Sequence, residues 1–156
     1  MRKQYSIFFL ISVLVFILDQ ATKYVIKAQL RLFESISVLP FFNIVHVQNT
    51  GSAFGMFKGL GNTFFIIIAL SAIVVVAVLI IRDRENRPGL SLILGGAAGN
   101  LADRIVHGHV IDFLDFFAGS FHWPAFNVAD SALTIGITLL IFNSFVHAGP
   151  GARKEN

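Results

Sequence analysis

Apolar residues run from Phe64 to Ile81 with Ser71 as the one polar position among 18. That length matches the hydrocarbon core of a bilayer and predicts a transmembrane helix over about 62–81. A second apolar run, Tyr5 to Leu18, leads into Asp19-Gln-Ala-Thr-Lys23. Its basic start at Arg2 and Lys3 also suits a secretory signal peptide, but no small-residue cleavage site follows, so a retained first span over about 5–26 is expected. Leu90 to Val106 predicts a third span, about 89–106, in which Gly95-Gly-Ala-Ala-Gly99 lets neighbouring helices approach closely. A fourth span is expected over about 128–147, broken only by threonines, serines, Gly136 and Asn143.

The segment 31–60 has a different rhythm. Ser37 to Gln48 is rich in β-branched and aromatic residues with rough alternation, a strand signal, and Asn49-Thr-Gly-Ser-Ala-Phe54 adds turn residues. A small β-containing cradle on the outer surface is expected there, leaning on the helix ends because it is too short to bury a core of its own. Phe41, Phe42, Phe54, Met56 and Phe57 suit contact with lipid or an acyl chain and suit ordinary packing equally. No internal repeat or second domain is visible, so residues 1–156 read as one integral membrane domain of mainly α class, with four transmembrane helices.

Composition sharpens this picture. At 55% hydrophobic and 13% charged residues, with a mean hydropathy of +0.74, the chain has more apolar surface than one small soluble core hides. The net charge of +3 does not point to nucleic acid, because the basic residues stand at the ends of apolar runs rather than in a patch with interleaved aromatics. Seven of them (Arg2, Lys3, Arg82, Arg84, Arg87, Arg153, Lys154) fall on one side of a four-span arrangement and five (Lys23, Lys27, Arg31, Lys58, Arg104) on the other. The bias predicts that both termini are cytoplasmic and the 27–63 segment lies outside. With no cysteine, thiolate chemistry and disulfides are excluded.

Polar residues concentrate between Gly95 and Asp130: Asn100, Asp103, Arg104, Asp112, Asn127 and Asp130. Ionisable groups at membrane depth are costly and are read as functional. Asp112 follows the third span and Asp130 opens the fourth, so a short connection through Phe121-His-Trp-Pro124 would bring both carboxylates to the outer interface. Two carboxylates sharing a site hold one proton between them. The ionised member can then take a proton from water attacking an amide carbonyl while the protonated one polarises the carbonyl oxygen. Asp130 near a helix N-terminus would be favoured as the ionised member; it also reads as a helix cap.

Spacing suggests supporting roles. Asn100 with Asp103, and Asn127 with Asp130, each lie three apart, giving each carboxylate an amide neighbour. Asp19 and Lys23, four apart, read first as an ion pair and second as lining the cavity. An Asp103–Arg104 network is favoured over catalysis by Asp103, and Asp115 is expected to face solvent. His107, His109 and His122 raise a zinc alternative that lacks a clear third ligand. A proton-coupled carrier would place its aspartates at the bilayer midplane, often within repeats. A structural membrane protein leaves the clustered Asn and Asp residues without a purpose, and a lipid-phosphate enzyme would call for more cations.

Five blocks in order, Asp19-Gln-Ala-Thr-Lys23, Asn49-Thr-Gly-Ser-Ala-Phe54, Gly95 to Arg104, Val110-Ile-Asp-Phe113 and Phe126-Asn-Val-Ala-Asp130, resemble the signature blocks of bacterial lipoprotein signal peptidase (signal peptidase II), over about residues 10–145. The resemblance implies an inner-membrane aspartic endopeptidase. It would remove the signal peptide of prolipoproteins by cutting before a diacylglyceryl-modified cysteine, without metal or other cofactor. It makes Asp112 and Asp130 the catalytic pair. Asn49, Gly51, Asn100, Arg104 and Asn127 would line or brace the substrate site, with Asp19, Lys23 and Asp103 in support. It further implies an outer β-cradle with a short periplasmic helix, contact with membrane lipids, and inhibition by cyclic peptides of the globomycin type.

Overall fold

The computed structural model describes residues 3–51 and 61–147. In chain order these form α1 (Lys3–Gln29), β1 (Ser35–Leu39), β2 (Phe42–Asn49), α2 (Gly61–Arg82), α3 (Arg87–His107), β3 (Val110–Ala118), β4 (Phe121–His122) and α4 (Val128–His147). The short helix expected within 31–60 has no counterpart in 31–51, and 52–60, with Phe54, Met56, Phe57 and Lys58, lie outside the described residues. Arg2, Arg153 and Lys154 lie outside them too.

Helix α3 occupies the centre and packs against α1, α2 and α4. Its small residues make this possible: a Cβ at Gly95 would stand 2.6 Å from the Ser12 carbonyl oxygen, and one at Gly96 2.5 Å from that of Ala129. At Gly99 the obstacle is the Asp19 carboxylate, 2.5 Å from where a Cβ would lie. A side chain at any of these positions would push α1 or α4 away. The tight α2–α3 turn is closed by the buried Arg87, whose Nε and Nη2 donate to the carbonyls of Ile80 and Ile81 at 2.8 and 3.2 Å. Two of the orphan acceptors at the end of α2 are thereby satisfied.

Among the described residues three helices are long and apolar enough to cross a membrane: α1 over Tyr5–Gln29, α2, and α4 over Val128–Val146. Their outward side chains, among them Leu14, Ile67, Val74, Ile137 and Phe142, are large, apolar and exposed. A continuous surface of that kind is made for hydrocarbon rather than water. Helix α3 carries Arg87, Asp103 and Arg104 and is covered by its neighbours.

The sheet is antiparallel, in the order β1-β2-β3-β4. Both of its halves issue from the same end of the bundle, β1 and β2 after α1, β3 and β4 after α3. The connection from α3 to α4 has the extent expected from sequence but carries two strands, β3 and β4, that were not expected. Gly108, at φ 77°, ends α3 in the left-handed region that glycine tolerates, and β3 starts two residues later. After β4 the chain returns alongside β3. The N–H groups of Phe113 and Leu114 donate to the Phe126 carbonyl at 3.0 and 2.8 Å, and the Phe126 N–H donates to Leu114 at 3.1 Å. This pairing seats the residues after Phe126 beside Asp112. Ile26, Ile111 and Phe113 form the apolar joint between sheet and helices. Phe42 spends its ring on Phe116, with centroids 4.7 Å apart, while Phe41 is exposed.

Candidate active site

The N-terminus of α4 organises the site. Asn127 precedes the helix, and its side-chain oxygen accepts from the Asp130 N–H at 2.9 Å while an Asp130 carboxylate oxygen accepts from the Asn127 N–H at 3.3 Å. This is a capping box closed reciprocally, so Asp130 does cap the helix. It also faces outward: Asp130 and Asp112 line one cavity of about 720 Å³, together with Val47, Asn49, Trp123 and Thr134.

Amide side chains hold both carboxylates. Asn127 Nδ2 donates to one oxygen of Asp112 at 2.7 Å and Asn49 Nδ2 to the other at 3.0 Å. Asn49 reaches it because Val47 on β2 stands opposite Asp112 on β3 and Asn49 opposite Val110. The Asn49 side chain is fixed in turn by the Gly51 N–H, 2.8 Å from its Oδ1. Gly51 sits at φ 100°, with the Phe65 ring where a Cβ would be, so glycine is required there on both counts. Asn100 Nδ2 donates to Asp130 at 2.8 Å; the sequence pairing of Asn100 with Asp103 is corrected by this bond.

Beneath the pair lies a buried ion cluster. Lys23 Nζ meets Asp19 at 2.8 Å, Asp103 at 2.9 Å and Asn100 Oδ1 at 3.0 Å. These are three acceptors for the three hydrogens of an ammonium. The expected Asp19–Lys23 pair is present, and the partner expected for Asp103 is not: its cation is Lys23, and the Arg104 guanidinium lies over the Phe65 ring at 4.6 Å. Arg104 Nη1 is buried without a hydrogen bond among the described residues. The remaining oxygens of the cluster accept from backbone, Asp19 from the Ala129 N–H at 2.9 Å and Asp103 from the Ile111 N–H at 3.1 Å. Gln20, which sequence reasoning passed over, donates toward Asp19, Asp103 and the Gly99 carbonyl. Its position inside the Asp19 to Lys23 block was the available signal.

Two further sequence readings change. Asp115 does not face solvent: it is buried and bonded to Asn43 and His122. His107 and His109 stack on each other at 5.9 Å while His122 is on Asp115. Among the described residues no group of three His, Asp or Glu converges as metal ligands.

Burial pushes the Asp112 carboxyl up to about 7, with the charge of Asp130 adding to the rise and the bonds from Asn49 and Asn127 opposing it. The folded chain then keeps a proton that the unfolded chain has released, so this group's contribution to stability falls as pH rises from about 4 toward 7 and levels off above. Asp112→Asn removes that dependence. Its thermal midpoint relative to wild type should therefore climb between about pH 5 and about pH 8 in detergent, and a flat difference would contradict the assignment. Lys23→Met leaves two buried carboxylates uncompensated and should cost roughly 3–5 kcal/mol. Adding Asp19→Asn and Asp103→Asn should recover part of the lost thermal midpoint.

Comparisons with known proteins place this arrangement among relatives. A family model described as Signal peptidase (SPase) II matches residues 11–146. The lipoprotein signal peptidase of Thermodesulfovibrio yellowstonii is 48% identical over 84% of this chain and 89% of its own. That of Actinobacillus succinogenes is 41% identical over 100% and 99%. A solved structure of a bacterial membrane enzyme, obtained by the in meso method at 2.3 Å, superposes with a TM-score of 0.86 at 36% identity, covering 97% of this chain and 94% of that one.

Proposed function

The chain belongs to the signal peptidase II family, and from that premise we propose that it is a metal-free aspartic endopeptidase whose catalytic groups are Asp112 and Asp130. Its substrates are prolipoproteins carrying a diacylglyceryl cysteine, cut on the N-terminal side of that residue. The observation that carries this reading is the pair itself: two carboxylates lining one cavity and both held by Asn127, Asp112 by its side-chain amide and Asp130 by its backbone N–H. A helix cap alone has no use for the second aspartate.

The chemistry follows from the bonds each group makes. A water held between the carboxylates loses a proton to Asp130 as its oxygen attacks the amide carbon, while the proton of Asp112 passes to the carbonyl oxygen. In the tetrahedral intermediate that results, Asp130 returns its proton to the amide nitrogen as the C–N bond breaks. Asp112 recovers a proton from the hydroxyl that becomes the new carboxyl. Asp112, with its carboxyl near 7, suits the donor role; Asp130, accepting from Asn100 and the Asn127 N–H, suits the base. Arg104 lies close enough to feel both charges, and its buried Nη1, without a hydrogen bond among the described residues, would serve the substrate backbone. Asn49, Gly51, Asn100 and Asn127 set the carboxylates in place, and Asp19, Lys23 and Asp103 hold the helices that carry them.

In this reading α3 crosses the membrane too, as the third of four spans, and the whole chain is one membrane domain of the bacterial inner membrane. Both termini are cytoplasmic, and the sheet and the site are on the outer face, where membrane lipids flank the substrate's acyl chains. A cyclic peptide of the globomycin type would compete for the same cavity. Asp112→Asn and Asp130→Asn should each lower the cleavage rate of a diacylglyceryl-modified prolipoprotein at least about a thousandfold. Asp103→Asn should retain measurable turnover, and EDTA should leave wild type unaffected. Undiminished cleavage by either dyad variant, or loss of activity in EDTA, would overturn the mechanism.

A further inference from the structure

The sheet carries a second buried carboxylate that the reaction above does not use. Asp115 accepts from Asn43 Nδ2 at 2.9 Å, and His122 Nδ1 lies 2.9 and 3.0 Å from its two oxygens. Carboxylate oxygens accept, so Nδ1 carries the hydrogen and Nε2 is left for a different partner. The imidazole also stacks on Phe117, 5.0 Å between centroids at 18°. Its orientation is thus fixed twice, yet the side chain remains 51% exposed. Among the described residues Nε2 makes no hydrogen bond.

This pair opens onto a cavity of about 490 Å³ whose other walls are mainly apolar, including Val45, Val47, Phe121 and Trp123. Val47, Trp123, Pro124 and Ala125 line both this cavity and the one holding Asp112 and Asp130, so the two adjoin. The dyad cavity extends in the other direction along α4, past Ser131, Thr134 and Ile135. A chain with its scissile amide at the dyad therefore has two ways out. The apolar route along α4 suits an acyl chain and a hydrophobic signal segment. The route over Val47 and Trp123 ends at an oriented imidazole, which suits a polypeptide backbone with its regular donors and acceptors.

We propose that the Asp115–His122 pair and its cavity form the subsite for the substrate polypeptide on the C-terminal side of the cleaved bond. His122 Nε2 bonds to that chain's backbone, and Asp115 acts as a positioning residue that aims the ring. The inference rests on the peptidase reading. An extended chain advances about 3.3 Å per residue, so several residues beyond the lipidated cysteine are needed to reach His122.

The test compares two diacylglyceryl-modified substrates with one signal segment, the first amidated directly after the cysteine and the second continued by about six residues. Wild type in detergent should have the lower KM for the longer substrate. His122→Ala should raise that KM roughly three- to tenfold, the range of one hydrogen bond, with kcat little changed and the advantage of length erased. Val45→Trp, which fills the cavity from β2, should do the same, and Asp115→Asn, which keeps an acceptor for Nδ1–H, should fall between. Equal KM values for the two substrates in wild type, or variants that leave the longer substrate's KM unmoved or shift both substrates alike, would overturn the inference while the peptidase reading stands. Wild type that cleaves neither substrate would overturn both.

Discussion

An ammonium group removed from water must find an acceptor for each of its hydrogens, and at Lys23 the three that it finds come from two helices. Asp19 sits one turn before it on α1; Asp103 and Asn100 sit one turn apart on α3. The two carboxylates then reach further, Asp19 to the first turn of α4 and Asp103 to the start of β3. One buried cation therefore fixes the mutual position of every element that carries a residue of the site except β2. Breaking such a cluster from one side leaves a buried charge unpaired, which is why it behaves as a unit. Gly99 belongs to the same constraint, since a side chain there would occupy the space of the Asp19 carboxylate.

Above that cluster the charge is handled differently. Asp112 and Asp130 have amide partners instead of a direct ion pair: Asn49 and Asn127 for one, Asn100 and the backbone of Asn127 for the other. Amides orient a carboxylate without neutralising it, so either protonation state can persist at the same geometry. That is the property a proton-exchanging pair needs and an ion-paired carboxylate lacks. Asn127 is the junction between the two layers, touching Asp112, Asp130 and Asn100 with one side chain and its own backbone.

Much of this was legible in the sequence because membrane residence simplifies the code. An apolar run such as Phe64 to Ile81 has few alternatives to a helix, and polar residues among such runs stand out by their cost. The strand signal of Ser37 to Gln48 was equally plain. What escaped was β3: Val110 to Ala118 carries two aspartates among aromatic residues, and the eye for catalytic carboxylates passed over its strand pattern. Missing it left the link between α3 and α4 without its strands and put Asp115 in solvent. Partner choice among close charges was also hidden. Asp103 and Arg104 are neighbours in sequence, but successive residues on a helix point about 100° apart, so Asp103 turns to Lys23 and Arg104 to Phe65.

The proposed cleavage depends on a water molecule activated between two carboxylates. The most direct measurement of that claim is the inhibition constant of a diacylglyceryl lipopeptide whose scissile amide is replaced by a secondary alcohol, set against its deoxy counterpart. An alcohol seated between the carboxylates imitates the tetrahedral intermediate, so it should bind at least about a hundredfold tighter than the deoxy compound. Asp112→Asn should abolish that advantage. Equal inhibition by the two compounds on the wild-type protein would contradict the mechanism.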